Sequence, residues 1–252
     1  MNIKVLGSSG AEFPNYRPPA YLIDNFFLLD AGTIGSVLPD IDQWKIKTIL
    51  LSHSHLDHIK GIPFLADNII ISNVNNKVRL ISTCDVLNAV SKHIFNNVIW
   101  PDFSKIPSTC NPVIEYVEIP SETEMEIDGY SITAIPVNHS VPAIGYLIKK
   151  GPSALLYTGD TGPTDKIWRY ADKASALIVE VSFPNQMNDM ALLTGHLTPS
   201  LLLNELSKCK AIPPLILVTH TKPQFREEIM RELRNISLPE IKLLCDEDEY
   251  II

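Results

Sequence analysis

No stretch of this 252-residue chain stays apolar for the roughly 18 residues that a membrane-spanning helix needs, so a bilayer is not an expected partner. Its four cysteines, Cys84, Cys110, Cys209 and Cys245, are scattered without a paired spacing. That argues against a disulfide framework and for reduced thiols in the cytoplasm. The opening run Met1-Asn2-Ile3-Lys4-Val5-Leu6 meets Gly7 too early for a signal peptide and reads as a first strand. Positive charge is scarce: 21 Lys and Arg face 29 Asp and Glu, a formal net charge of −8. A protein gripping many phosphates needs a basic surface, so a long nucleic acid is not expected. A small anion held near bound cations remains compatible with that balance. No linker divides the chain, and a hydrophobic content of 45% suffices for a sizeable core, so 1–252 is expected to form a single domain.

Against these absences stands one dense feature, His53-Ser54-His55-Leu56-Asp57-His58. It follows Lys47-Thr48-Ile49-Leu50-Leu51-Ser52, an apolar β-prone run that reads as a buried strand. Residues i and i+2 of an extended segment share a face, so His53 and His55 can bind one metal. Asp57 and His58 then turn toward a neighbouring position, which suggests two metals. Of the 7 histidines, His139 and His220 also end predicted strands, as does Asp160 after Ala154-Leu155-Leu156-Tyr157-Thr158-Gly159. Layered α/β folds gather functional groups at such strand ends. Imidazole and carboxylate donors suit zinc, with manganese or iron as alternatives. His93 lies in an amphipathic helical stretch and reads as structural or solvated.

The remaining pattern predicts strands at 3–7, 21–23, 26–30 and 78–82, with Asp24-Asn25 as a hairpin turn. A short helix over 59–66, interrupted by Gly61 and Pro63, should follow the metal turn, and another helix covers 84–95. Residues 96–112 read as a long loop to which Trp100 and Phe103 give an aromatic character, suited to a dimer contact in a homodimer or to a pocket lid. Asp128-Gly129 and Gly151-Pro152 mark two further hairpins. A strand over 176–182 leads to helices over 198–208 and 223–235, the first with Thr198 as N-cap and Pro199 at its first position. A final strand is expected at 241–244. Strands followed by helices, twice, predict two face-to-face sheets with helices outside.

The hexapeptide, followed by His139, Asp160 and His220, resembles the metallo-β-lactamase superfamily. That resemblance implies an α/β fold, a four-layer αβ/βα sandwich with a dinuclear metal site along one edge of its sheets. It would place His53, His55 and His139 on one divalent ion, Asp57, His58 and His220 on a second, and Asp160 between them. Asp30, in Leu28-Leu29-Asp30-Ala31-Gly32, matches the family's early aspartate, which orients a ligand histidine; the competing reading is a turn-former at a strand end. Aspartate rather than cysteine at 160, and His55 where redox relatives carry glutamate, mark the site as hydrolytic.

His55-Leu56-Asp57-His58-Ile59-Lys60-Gly61-Ile62-Pro63, Glu180-Val181-Ser182-Phe183-Pro184, Gly195-His196-Leu197-Thr198-Pro199 and His220-Thr221-Lys222-Pro223 are similar to strings of the class II cyclic-nucleotide phosphodiesterases. The implied reaction is metal-assisted hydrolysis of a 3′,5′-cyclic nucleotide, cAMP before cGMP, to a 5′-nucleoside monophosphate. Phosphodiesterase branches pair a glutamate with a later histidine, here Glu180 and His196. The chemistry calls for such a pair, since the departing alkoxide needs a proton. Glu180 leaves a strongly apolar strand, where a bare carboxylate is expensive. The competing reading makes Glu180 an ordinary buried ion-pair member and His196 a helix cap. Lys222 could meet a phosphate oxygen or be a solvated helix-start lysine, while Asn138, Asn185 and the turn Ser8-Ser9-Gly10 are weaker candidates.

Three rivals share the ligand pattern. A tRNA 3′-end endonuclease would also use Glu180 and His196, but many carry a long clamping insertion for which the 139–160 interval leaves no room. A lactonase or thioesterase would not need that pair. A non-catalytic scaffold would usually have lost ligands, and here every position is filled.

Overall fold

In a computed structural model that describes residues 1–236 and 240–252, the apolar runs become two seven-stranded sheets. The first sheet is ordered Glu249–Ile251, Asn2–Gly7, Ala20–Ile23, Phe27–Leu29, Thr48–Leu50, Val78–Ser82, Ile114–Glu118. The second is ordered Glu240–Leu243, Leu215–Thr219, Ala176–Glu180, Ser153–Tyr157, Ile144–Lys150, Tyr130–Pro136, Glu124–Ile127. Each joins an antiparallel meander to a parallel end. The central strands Thr48–Leu50 and Ala176–Glu180 are buried along their whole length, which explains why they read as continuous rather than alternating apolar runs. Edge strands such as Glu124–Ile127 and Glu249–Ile251 carry exposed glutamates, which discourage pairing with another chain.

Three apolar layers separate four layers of structure. Ile3, Tyr21, Phe27, Tyr146, Tyr157 and Ile178 pack between the two sheets. Leu28, Ile49 and Leu80 face the helices Gly61–Ile71 and Cys84–His93. Leu156, Leu177 and Val218 face Trp168, Leu202 and Ile229 on the other side. The expected four-layer αβ/βα sandwich is the observed one. The turn Asp24-Asn25 adopts positive φ at both residues (46° and 67°), as a two-residue hairpin requires.

Several elements differ from the sequence reading. The helix expected at 59–66 is two helices, Leu56–Ile59 and Gly61–Ile71. Pro63 does not interrupt the second because it falls in the first turn, where backbone N–H groups lack helical partners. The strand over 240–243 is not the last: Glu249–Ile251 follows and crosses to pair antiparallel with Asn2–Gly7 in the first sheet. Residues 96–112 contain a small pair of strands, Pro107–Ser108 and Asn111–Pro112, and Phe103 is buried in the first core, with Val98 and Ile99 exposed. The edge strand Ile114–Glu118, the 3-10 turn Ile167–Lys173 and the helix Asn188–Thr194 were not anticipated. Among the described residues no helix is long and apolar enough to cross a membrane.

Candidate metal centre

The chemistry-bearing residues leave strands of both sheets at one shared edge. Asp30 follows Phe27–Leu29 and His53 follows Thr48–Leu50 on the first sheet. His139, Asp160 and His220 follow Tyr130–Pro136, Ser153–Tyr157 and Leu215–Thr219 on the second, where Glu180 ends its own strand. Backbone and tyrosine contacts bolt the sheets together there. Ile144 N donates to Ser52 O (3.0 Å), Tyr146 Oη to Leu51 O (2.8 Å), and His220 N to Ser8 O (2.7 Å).

Potential donor atoms of His53, His55, His139 and Asp160 lie within 4.8 Å of one another, and so do those of Asp57, His58 and His220. The residues grouped from the sequence are thus brought together, and Asp160, His196 and His220 form a third set equally close. Asp160 faces both of the first two groups: its Oδ2 is 3.7 Å from His53 Nε2, 3.3 Å from His58 Nε2 and 3.2 Å from His220 Nε2. The hexapeptide achieves this by switching conformation midway. His55 is still extended (ψ 147°), and Leu56–Ile59 is helical, so Asp57 and His58 swing away from the His53 and His55 pair.

Four of the imidazoles are held by their outward nitrogens. His58 Nδ1 meets Asp30 Oδ2 at 2.7 Å, His139 Nδ1 donates to Gly195 O at 2.8 Å, and Ser52 Oγ meets His53 Nδ1 at 2.9 Å. Ser182 Oγ meets His220 Nδ1 at 2.8 Å. Asp30 is buried and accepts from Ser52 N, Ser52 Oγ and Tyr157 Oη as well, so it is fixed far more firmly than a turn-forming aspartate. Asp30 and His220 both take left-handed backbone, φ 52° and 59°, a costly conformation that recurs at functional sites. Gly195 is left-handed too (φ 71°), and a Cβ there would press on His139 Nδ1 at 3.0 Å.

The inward nitrogens fit a cation. His53 Nε2 and His58 Nε2 are buried without a hydrogen-bond partner, and the atoms facing them are carboxylate oxygens. Burial, reinforced by neighbouring imidazoles, pushes the His53 pKa well below its usual value, and burial also lowers those of His55 and His139. Burial would raise the pKa of Asp160, yet His220 and His58 outweigh it and hold the carboxyl well below the usual range. Asp57 is lowered in the same way by His220 and His58. Neutral imidazoles beside ionised carboxylates are the protonation state that metal ligands need. His58 is the exception. Burial pulls its pKa down, but Asp160 and Asp30 outweigh this and raise it, so a cation there would displace a proton.

Beside this cluster, His196 Nδ1 meets Glu180 Oε1 at 2.8 Å. Glu180 is fully buried, and its carboxylate also accepts from Thr161 N and Ser182 Oγ. The His196 ring stacks on His220 with centroids 5.3 Å apart and meets His139 edge-on at 5.1 Å. Burial lowers the His196 pKa, and Glu180 more than reverses this, so it lies above the usual imidazole value. His196 does not cap the following helix, because Thr198 Oγ accepts from Leu201 N itself.

Lys222 donates to the Gly10 carbonyl and lies 6.0 Å from the Phe183 ring, in the same wall of the site, close enough for its charge to oppose protonation of His196. Ser8-Ser9-Gly10 does border the cluster: a Cβ on Gly10 would strike His220. Asn138 and Asn185 spend their side chains on Pro163 O and Ser200 N, and His93 is exposed at the end of Cys84–His93, away from the cluster. Sequence reasoning missed Ser52, Tyr157, Ser182 and the Gly195 carbonyl. Ser52 and Ser182 stand inside the very strings that carry the ligands and Glu180, which was the available signal.

A profile of the beta-lactamase superfamily domain matches residues 27–221. A probable 3′,5′-cyclic-nucleotide phosphodiesterase of Yersinia pestis is 28% identical over 230 residues, covering 80% of this chain. The chain spans only 64% of the length of that relative. Ribonuclease Z of Methanococcus maripaludis is 24% identical over 309 residues, covering 98% of this chain and 97% of that one. Unliganded yeast PDE1 superposes with a TM-score of 0.83 at 17% identity over 98% of each chain, a likeness of fold.

Proposed function

The chain belongs to the β-lactamase superfamily, and from that membership we propose that it is a metal-dependent phosphodiesterase that hydrolyses 3′,5′-cyclic nucleotides to 5′-nucleoside monophosphates. The observation that carries the reading is the His196–Glu180 pair set against the His/Asp cluster. A hydrolase attacking carbonyl carbon has no use for a second, charge-stabilised imidazole beside its metal ligands. A phosphodiesterase does, because the departing ribose oxygen must be protonated.

Two divalent ions, zinc by donor type, would be held by His53, His55 and His139 and by Asp57, His58 and His220, with Asp160 shared, and would acidify the attacking water and polarise the phosphoryl group. The protein's own part is positional. Asp30, Ser52 and Gly195 O fix the ligand rings through their outward nitrogens, leaving the inward ones free. His196, kept charged by Glu180, gives its proton to the 3′-oxygen as the ring opens. Lys222 adds positive charge beside the phosphate. The substrate this supports is a small anion, in keeping with the net charge of −8.

A second reading, tRNA 3′-end cleavage, is favoured by the Methanococcus match, which runs the full length of both chains. One experiment separates the two. The zinc-loaded protein is offered cAMP, cGMP and a precursor tRNA. Release of 5′-AMP or 5′-GMP, lost on chelation and strongly reduced in His196→Ala, supports the cyclic-nucleotide reading. Cleavage of precursor tRNA without turnover of either cyclic nucleotide overturns it.

A further inference from the structure

Ser182 is fully buried, and its hydroxyl touches four polar atoms. They are His220 Nδ1 at 2.8 Å, Glu180 Oε2 at 3.1 Å, His196 Nδ1 at 3.2 Å and His220 O at 3.2 Å. A hydroxyl has one hydrogen to give. The two acceptor-only partners are Glu180 and the His220 carbonyl, and the charged carboxylate forms the stronger bond. With the hydrogen given to Glu180, the serine oxygen is free to accept from His220 Nδ1–H. That choice leaves the lone pair of His220 on Nε2, which faces Asp57 Oδ2 at 3.4 Å and Asp160 Oδ2 at 3.2 Å. A lone pair aimed at two carboxylates is tolerable only with a cation between them.

The same arrangement occurs on the other sheet. Ser52 Oγ donates to Asp30 Oδ2 at 2.7 Å and meets His53 Nδ1 at 2.9 Å, while Asp30 also holds His58 directly. Each buried carboxylate therefore governs two imidazoles, one by direct contact and one through a serine. For Asp30 both are ligand candidates. For Glu180 one is His196 and the other is His220, reached through Ser182.

We propose that Ser182 is a positioning residue that fixes the His220 tautomer and couples Glu180, and through it His196, to the second metal position. The idea rests on the metal-centre reading above and adds to it that Glu180, which touches no ligand, tunes metal affinity. Glu180 thus serves two tasks at once, so a change at Glu180 reaches both the proton donor and the metal.

The test uses the full chain, stripped of metal and titrated with zinc alone against a chelating indicator, with folding checked by circular dichroism. Wild type, Ser182→Ala, Glu180→Gln and the double variant are compared. Loss of such a supporting hydrogen bond typically weakens metal binding about 10- to 100-fold. The expected result is that Ser182→Ala weakens one of two zinc equivalents by about that factor and leaves the other unchanged. Glu180→Gln should weaken the same equivalent in the wild-type background and have no further effect once Ser182 is alanine. Unchanged affinity in Ser182→Ala, or effects that simply multiply in the double variant, would overturn the coupling. If Ser182→Ala fails to fold, Glu180→Gln alone decides, since unaltered zinc affinity there refutes the link. A wild-type protein that binds no zinc refutes the metal-centre reading itself, an outcome distinct from two zinc ions bound with no dependence on Ser182.

Discussion

At the scale of single residues, the site is a set of imidazoles of which His53, His58, His139 and His220 have their outward nitrogens engaged. Two consequences can be measured. The Glu180 carboxylate raises the His196 pKa, so the charged form persists below that raised value and is lost as pH rises through it. If His196 is the proton donor, activity falls on that alkaline limb, and Glu180→Gln moves the fall to lower pH. His196→Ala should cut kcat by about 100-fold or more with two metals still bound, read by steady-state kinetics and metal analysis. Asp30 receives Ser52 N, Ser52 Oγ, His58 Nδ1 and Tyr157 Oη. Asp30→Asn presents one acceptor oxygen where two are needed, so it should weaken zinc binding by about 10- to 100-fold in a chelator competition. Most of these residues were legible because four metal-donor side chains within six consecutive positions have few other uses. The serines were harder to read: they sit in the same strings, but a hydroxyl's role is set by neighbours that only the fold supplies.

At the scale of elements, strand ends were readable and crossings were not. Apolar runs with turn pairs at Asp24-Asn25 and Asp128-Gly129 located hairpins, because positive φ at adjacent positions restricts the residues allowed. Ile114–Glu118 escaped because it lies at a sheet edge with only Ile114 buried, no alternation and no flanking turn pair. Glu249–Ile251 escaped because three residues carry too little pattern, and its pairing with Asn2–Gly7 is a long-range event. Contacts between the sheets are equally invisible to local pattern. Tyr146 reaches from the second sheet to Leu51 O of the first at 2.8 Å, where both are buried. Ser82 Oγ also donates to that carbonyl at 2.7 Å, so Tyr146→Phe removes one inter-sheet hydrogen bond without orphaning the acceptor and should cost about 0.5–1.5 kcal/mol, measured by urea denaturation.

At the scale of the whole molecule, the ligand candidates divide between the sheets. His53, His55, Asp57 and His58 come from the first, and His139, Asp160 and His220 from the second. Bound cations would tie the sheets together at the edge where their strands end. Metal present at about 1,000 times its Kd adds about 4 kcal/mol to the folded state. For a chain of this size each kcal/mol moves Tm by about 2–4 °C. Stripping the metal should therefore lower Tm by about 8–16 °C in a calorimetric scan, with zinc restoring it. The layered architecture itself was legible from the alternation of strand and helix patterns, whereas its closure by a strand from the far end of the chain was not.

The left-handed backbone at Asp30 and His220 carries a consequence for how such a chain drifts. At these two positions asparagine or glycine suits the backbone better than the residue present. Substitution by either of these relaxes the main chain while it removes a ligand candidate, His220, or the carboxylate that orients one, Asp30, so a lineage released from its chemistry could gain a steadier, inert fold there. Both residues hold that posture where their strands end at the site. The molecule keeps its site against the local preference of its own backbone.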